Sequence, residues 1–339
     1  MRVYNRSVLN MQLVIFIIKM AIELTNKRII KYLLEKYNAK PEKYLGQHFI
    51  LSKKALKKII ETAQIKTGDT IVEIGPGLGT LTEKLAETGA NIVAIEKDSL
   101  MVEILKETVA DYKNVKIIQA DARQIWRGSP EAARQLLMSD TNSFGDNVGI
   151  NGGKYGYKIV ANLPYNAATF LIRQWLESEN PPQMMVLMIQ KEVARRIVAK
   201  PPHSNLLGIS VQFYADAEII DYVKKESFWP KPKVDAAIIK IIPHSKKRLA
   251  AFAGDRKQMM TGNAKEIFFK ILKAGFSQPR KQLVGNFAKK LNIPKEKIIS
   301  IFKNLDISNT ARAENLSLDQ WLLLVNNLNS FFKREENKF

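Results

Sequence analysis

The chain has 339 residues, of which 46% are hydrophobic and 25% charged, the proportions of a soluble, well-cored globular protein of roughly two domains. Its 53 Lys and Arg against 33 Asp and Glu leave a formal charge of +20, which favours a polyanionic partner such as nucleic acid, with an acidic membrane surface as the competing reading. The absence of Cys excludes a disulfide framework and a thiolate metal site, and three scattered His argue against a His-built one; no metal is expected, and a reducing cytosol is the matching compartment.

At the N-terminus, Arg2 and Arg6 ahead of the apolar run Leu13 to Ile18 imitate a secretory signal. Lys19 ends that run too early for it to span a bilayer, and no small-residue cleavage site follows. Translation starting at Met20 is the alternative, because Thr25-Asn26 followed by Ile29, Ile30, Leu33 and Leu34 already predicts a capped amphipathic helix. An intact mass of the natively expressed protein that includes residues 1–19 would reject that start. From Ile71 the chain alternates apolar runs with helical patterns: IVEIG then LTEKLAE, NIVAIE then LMVEILKETV, VKIIQAD, KIVANL then ATFLIRQWLE, and later MMVLMI and AAIIKII. Short apolar strands alternating with helices predict an α/β fold built on a parallel, doubly wound, Rossmann-like sheet. The stretch from Ser139 to Gly156 is rich in Gly, Asn, Asp and Ser and reads as a flexible surface insertion. Past Pro243 the β-type runs cease and helical patterns alternate with basic clusters, with helix starts at Pro294 and Ser317. The expected organisation is an N-terminal extension and helix over 1–43, a Rossmann-like domain over 44–243 with its insertion at about 139–156, and a smaller all-helical C-terminal domain over 244–339.

The first strand ends in Glu73-Ile74-Gly75-Pro76-Gly77-Leu78-Gly79-Thr80. Glycines such as Gly75 and Gly77 at a strand-to-helix turn let backbone approach a ligand, although a glycine-rich turn alone is generic. The spacing here is G-x-G-x-G, one residue tighter than the G-x-G-x-x-G of dinucleotide sites, which argues against a pyrophosphate. Seventeen residues beyond Gly79 the second strand ends in Glu96, whose carboxylate can accept both hydroxyls of a ribose. The third ends at Asp121, able to accept from the exocyclic amine of an adenine, and the fourth at Asn162. Each residue has a bland reading as strand-end punctuation. Together they line the carboxyl ends of successive strands, where open α/β sheets bind ligands, and a nucleoside held without a phosphate cradle is what S-adenosylmethionine requires.

These residues sit in a chain that resembles the ribosomal RNA adenine dimethyltransferases, most closely the KsgA-type enzymes acting on small-subunit ribosomal RNA. The resemblance runs over most of the chain, through Tyr44-Leu-Gly-Gln-His-Phe49, EIGPGLGTLT, NLPYN, QKEVARR, FWPKPKVD, FSQPRKQL and ARAENLS. It implies a Rossmann-like S-adenosylmethionine-dependent methyltransferase domain with a smaller helical domain behind it. It also implies that His48 and Ile50 border the cofactor, Gly75 its methionine part, Glu96 the ribose, Asp121 the adenine and Asn162 the reacting end. Family members often carry Asn where this chain has His48, so a backbone contact is the one to expect there.

The Asn162-Leu163-Pro164-Tyr165 corner then acquires a chemical reason. An adenine N6 is a poor nucleophile because its lone pair is delocalised into the ring, so the amino group must be held with that pair aimed at the methyl-sulfonium. The Asn162 side-chain oxygen and the Leu163 carbonyl can accept its two N–H bonds, Pro164 fixes the corner, and Tyr165 can stack on the base. Such stacking is worth roughly 1–3 kcal/mol per base, and orientation of two reactants up to about 7–11 kcal/mol of the barrier. Positioning, rather than a strong general base, carries the chemistry. Phe228 is the second stacking aromatic by resemblance, against a plain reading as a core Phe; Trp229, Lys231 and Lys233 share its loop. For RNA the candidates are Lys191, Arg195, Arg196 and Lys200, then Arg280 and Lys281 with Lys289 and Lys290, and Lys53, Lys54, Lys57 and Lys58, any one of which is more often a solvated face. The expected partner is ribosomal RNA in the small ribosomal subunit, met by a cytoplasmic monomer that engages no membrane. The rival readings are a large-subunit enzyme of the erythromycin-resistance type and a non-catalytic rRNA-binding assembly factor.

Overall fold

The computed structural model describes residues 23–42, 45–125, 156–244 and 262–336. Residues 1–19, Tyr44 and, apart from Gly156, the insertion expected at 139–156 lie outside these.

Asn26 caps helix α1 (Lys27–Lys36), its side chain accepting the Arg28 N–H at 2.9 Å. The apolar stripe Ile30, Leu33 and Leu34 buries against Phe49, Leu78, Met101 and Ile104. A two-residue strand β1 (Phe49–Ile50) leads to α2 (Lys53–Ala63), whose N-terminal Ser52 hydroxyl accepts the Ala55 N–H at 3.2 Å. The alternation that follows is β2 (Thr70–Ile74), α3 (Thr80–Ala86), β3 (Asn91–Glu96), α4 (Ser99–Thr108), β4 (Val115–Gln119), the short α5 (Ala122–Ile125), β5 (Tyr157–Asn162), α6 (Ala168–Glu177) and β6 (Met184–Gln190). Then come α7 (Lys191–Val198), α8 (Leu206–Tyr214), β7 (Ala215–Val223), β8 (Phe228–Trp229) and β9 (Ala236–Pro243).

The main sheet has seven strands in the order β4-β3-β2-β5-β6-β9-β7. The pairs β3 with β4, β2 with β3, β2 with β5 and β5 with β6 are parallel. Strands such as β2 (TIVEI, buried at every position) and β6 (MMVLMIQ) are apolar on both faces, as a sheet covered by helices on two sides requires. Strand order runs outward from β2 through β3 and β4 on one side and through β5 and β6 on the other. Between β2 and β5 lies the switch point at which such sheets open a crevice at their carboxyl ends. A separate ribbon pairs β1 with β8 antiparallel, Phe49 opposite Trp229 and Ile50 opposite Phe228.

The chain divides into two compact units: Met1–Gln190 with Ile220–Ile238, and Lys191–Ile219 with Ile239–Phe339. The second gathers α7 and α8 with the helices α9 (Gly262–Gly275), α10 (Leu283–Leu291), α11 (Lys295–Asn304) and α12 (Leu318–Glu336). Its core is aromatic: Phe213 stacks on Phe268 at 4.4 Å between ring centroids, and Trp321 meets Phe287 edge-on at 6.2 Å. Pro294 is the N-cap of α11, and the Ser317 hydroxyl accepts the Gln320 N–H at 3.2 Å while the Gln320 side chain accepts the Ser317 N–H at 3.0 Å, closing the start of α12.

Candidate active site

A cavity of about 240 Å³ opens at the carboxyl ends of β2, β3, β4 and β5, walled by Gly46, His48, Phe49, Ile50, Glu73, Gly75, Gly77, Glu96, Lys97, Asp121, Arg123, Asn162 and Pro164 among others. Its floor is the glycine loop. Gly77 has φ +57°, and a Cβ there would stand 3.2 Å from the Phe49 ring; Gly75 has φ +67° with Pro164 3.6 Å from where its Cβ would be. Side chains at either position would be strained and would fill the crevice.

Glu96 is almost fully buried, and its carboxylate ties the loop to the end of β3. One oxygen accepts the Gly77 N–H at 3.0 Å; the other accepts the N–H groups of Lys97 at 2.7 Å and Asp98 at 2.9 Å. Burial pushes its carboxyl above the usual range, and those three backbone donors offset part of the shift. Glu73, one strand over, is buried more completely, and its Oε2 has no hydrogen-bond partner among the described residues. Desolvation raises its carboxyl to about 8; Thr82 lies near enough to oppose the shift, though its hydroxyl closes no hydrogen bond of good geometry, and Glu96 adds repulsion.

Asp121 stands in the opposite situation. Its Oδ1 accepts the Arg123 backbone N–H at 2.9 Å and the Arg123 Nε–H at 3.2 Å, and its Oδ2 accepts from Arg123 Nη2 at 2.9 Å and faces the Lys97 ammonium at 3.0 Å. The Arg123 guanidinium, followed by Lys97, holds this carboxyl well below the ordinary carboxylate range.

At the end of β5 the Asn162 Nδ2–H donates to the His48 carbonyl at 3.1 Å, which turns Oδ1 to the acceptor role. His48 thus meets Asn162 through its backbone carbonyl. Its ring Nδ1–H donates to the Pro230 carbonyl at 2.7 Å, clasping the loop after β8. Leu163 is buried, anchored by its N–H to the Met188 carbonyl at 3.0 Å, and Gly46 packs against Pro164. Tyr165 lies beside His48, ring centroids 5.8 Å apart, with its hydroxyl buried and without a hydrogen-bond partner among the described residues; burial raises that phenol to about 12. Leu163 and Tyr165 are not among the residues that wall the cavity, and neither is Phe228. It is buried with Ile50, Leu56 and Val160, while its neighbour Trp229 stacks on Phe49 at 6.4 Å.

The family described as "Ribosomal RNA adenine dimethylase" matches residues 38–330 of this sequence. The chain belongs to that family. It is 38% identical over 292 residues to the ribosomal RNA small subunit methyltransferase A of Dehalococcoides mccartyi (strain CBDB1), covering 86% of this chain and 89% of that one. To the protein of the same name from Clostridioides difficile (strain 630) it is 34% identical over 309 residues, 91% of this chain and 97% of the relative. A dimethyladenosine transferase from Plasmodium falciparum superimposes with a TM-score of 0.62 at 25% identity over 84% of this chain and 98% of that one. The 23S rRNA methyltransferase ErmE does so at 0.61 and 20% identity over 83% and 99%, a likeness of fold alone.

The cavity fits S-adenosylmethionine, the methyl donor of these dimethyltransferases. The glycine floor leaves room for a ligand against backbone, Asn162 Oδ1 is turned to accept, and the orphaned oxygen of Glu73 is a buried anion-former in want of a cationic neighbour. No group of three His, Asp or Glu able to hold a metal occurs among the described residues, and no helix there is long and apolar enough to cross a membrane. Of the basic candidates, Lys191, Arg195, Arg196, Arg280 and Lys281 fall in the second unit, the four other than Lys191 exposed; Lys53, in the first unit, is paired with Glu23, and Lys57 faces Glu61 at 3.8 Å. Sequence reasoning did not single out Glu73, Lys97 or Arg123. Glu73 had a signal, an acid inside an apolar strand immediately before the glycine loop.

Proposed function

We propose that this protein transfers methyl groups from S-adenosylmethionine to N6 of adenines in small-subunit ribosomal RNA, two per adenine. The observation that carries the reading is the Asn162 corner, whose amide is oriented by the His48 carbonyl so that its oxygen is left to accept. In this reading Asn162 Oδ1 and the Leu163 carbonyl take the two N–H bonds of the target amine, and Pro164, lodged against Gly46 and Gly75, keeps the two acceptors in register. Tyr165, its hydroxyl buried, offers its ring to the base, and Phe228 serves from the core by bracing the loop that carries Trp229. The cofactor supplies an electrophilic methyl on a sulfonium. Glu96 takes the ribose, Asp121 the adenine amine, Ile50 and the backbone of His48 line the cofactor, and Glu73 complements its cationic end. With that cofactor bound, attack by N6 would form the N–C bond as the methyl–sulfur bond breaks, leaving S-adenosylhomocysteine as the neutral thioether, and the amine would give up one proton per transfer to solvent.

The ranges 44–243 and 244–339 are the proposed catalytic and helical domains, although residues 191–219 and 239–243 cluster with the second unit and the helix at 27–36 with the first; Lys191, Arg195, Arg196, Arg280 and Lys281 are the groups proposed to meet RNA phosphates. The protein acts as a monomer in the cytoplasm, where its ribosomal substrate is made. Reaching N6 in folded RNA requires an unstacked adenine. Mass spectrometry of small-subunit rRNA incubated with the protein and isotopically labelled donor tests the whole: dimethylated adenines carrying the label are expected. Label only in large-subunit RNA would favour the erythromycin-resistance type, and binding with no label an assembly factor.

A further inference from the structure

The adenine-facing end of the cavity carries more hydrogen bonds than an acceptor awaiting a ligand should. A carboxylate has about four lone-pair sites, and Asp121 has all of them engaged: three by Arg123 and one by the Lys97 ammonium. An incoming exocyclic amine must therefore displace a donor. Arg123 is held by a bidentate fork and a backbone N–H from two residues away in the chain, a local and pre-organised arrangement. Lys97 reaches across from the end of β3 with one contact on a flexible stem, and its side chain is 47% exposed. Its backbone stays fixed, because its N–H donates to Glu96, so the ammonium can swing away without disturbing the ribose-binding carboxylate.

We infer that Lys97 is a specificity-determining residue of the cofactor site: its ammonium competes with the adenine amine for Asp121, and by donating in its own right it lets the site tolerate a base with an oxygen at that position. The inference rests on the reading of Asp121 as the adenine acceptor. When the base presents an amine, Lys97 leaves Oδ2 and the amine takes its lone pair. When the base presents a carbonyl oxygen, the amine donor is missing, and Lys97 bridges carboxylate and carbonyl.

Binding of S-adenosylhomocysteine and of S-inosylhomocysteine to the full-length chain, measured by calorimetry for wild type, Lys97→Met and Asp121→Ala, tests this. Both probes carry a neutral thioether, so removing the ammonium does not act through a sulfonium charge. Lys97→Met should bind the adenosyl compound about two- to fivefold more tightly, the scale of an exposed ion pair, and the inosyl compound more weakly, so the discrimination widens from both sides. A methionine that merely packed better against the base would tighten both, and that common direction, like no change in either, would overturn the inference. Asp121→Ala, which leaves no side-chain acceptor, separates the two layers. If it weakens adenosyl binding while Lys97→Met changes nothing, the competition is wrong and the adenine role stands; if it leaves adenosyl binding intact, the adenine role itself fails and the inference with it.

Discussion

The two ends of the cavity are electrostatic opposites. At the β2 and β3 ends, Glu73 and Glu96 are buried acids with no ion-pair partner among the described residues, and desolvation raises both carboxyls. At the β4 end, Asp121 is saturated by a guanidinium and an ammonium, and its carboxyl is depressed. The first end gains from a cationic ligand, whereas the second must exchange partners to accept one. A donor whose positive charge lies far from its adenine suits that division, and the two ends consequently respond to pH with opposite sign.

The Asn162 corner, proposed to hold the substrate amine, offers the sharpest break. Asn162→Ala should lower methyl transfer by about a thousandfold or more, since orientation is the main catalytic device, with cofactor affinity altered only a few-fold by calorimetry. Next, Glu73 should make stability fall as pH rises. Its folded carboxyl is raised, so the folded state holds a proton that the unfolded chain releases near pH 4.5, and stability present below that value drains away toward pH 8. Chemical denaturation should lose about 3 kcal/mol between pH 4.5 and 7 from this group. Glu73→Gln should flatten that slope, and saturating S-adenosylmethionine should shrink it in the wild type. Asp121 works the other way, its contribution being lost as pH falls below the ordinary carboxylate value. Glu96→Ala should weaken the cofactor by about ten- to a hundredfold, the loss of a charged hydrogen-bonding partner, and unchanged affinity would refute its ribose role. The smallest effect lies in the second unit: for each phosphate partner that Arg280→Ala or Lys281→Ala removes, the salt slope of RNA binding should decrease by about 0.7 to 0.9.

The strand ends were legible because each follows an apolar run that only a buried strand fits, and because Gly75, Glu96, Asp121 and Asn162 recur at the same place in successive units. The segment from Leu206 to Val223 was not. LLGISVQFYADAEIIDYV is apolar without a clean period, so nothing local separates α8 from β7, and the break falls between Tyr214 and Ala215. The β1 and β8 ribbon is two residues long on each side, too short for a pattern, yet it decides which of two adjacent aromatics is buried: Phe228 pairs with Ile50 and turns inward, Trp229 with Phe49. The saturation of Asp121 was hidden as well, since one of its partners comes from a different strand.

Everything proposed for this site turns on Asn162 holding an adenine amine against the methyl donor. Single-turnover methyl transfer to small-subunit rRNA, run for wild type and Asn162→Ala at saturating donor with binding measured on the same preparations, addresses it directly. The wild type should place two methyls on N6 of its target adenines, and the variant should bind donor and RNA yet transfer about a thousandfold more slowly. Transfer by Asn162→Ala at close to the wild-type rate would mean that the corner does not orient the amine.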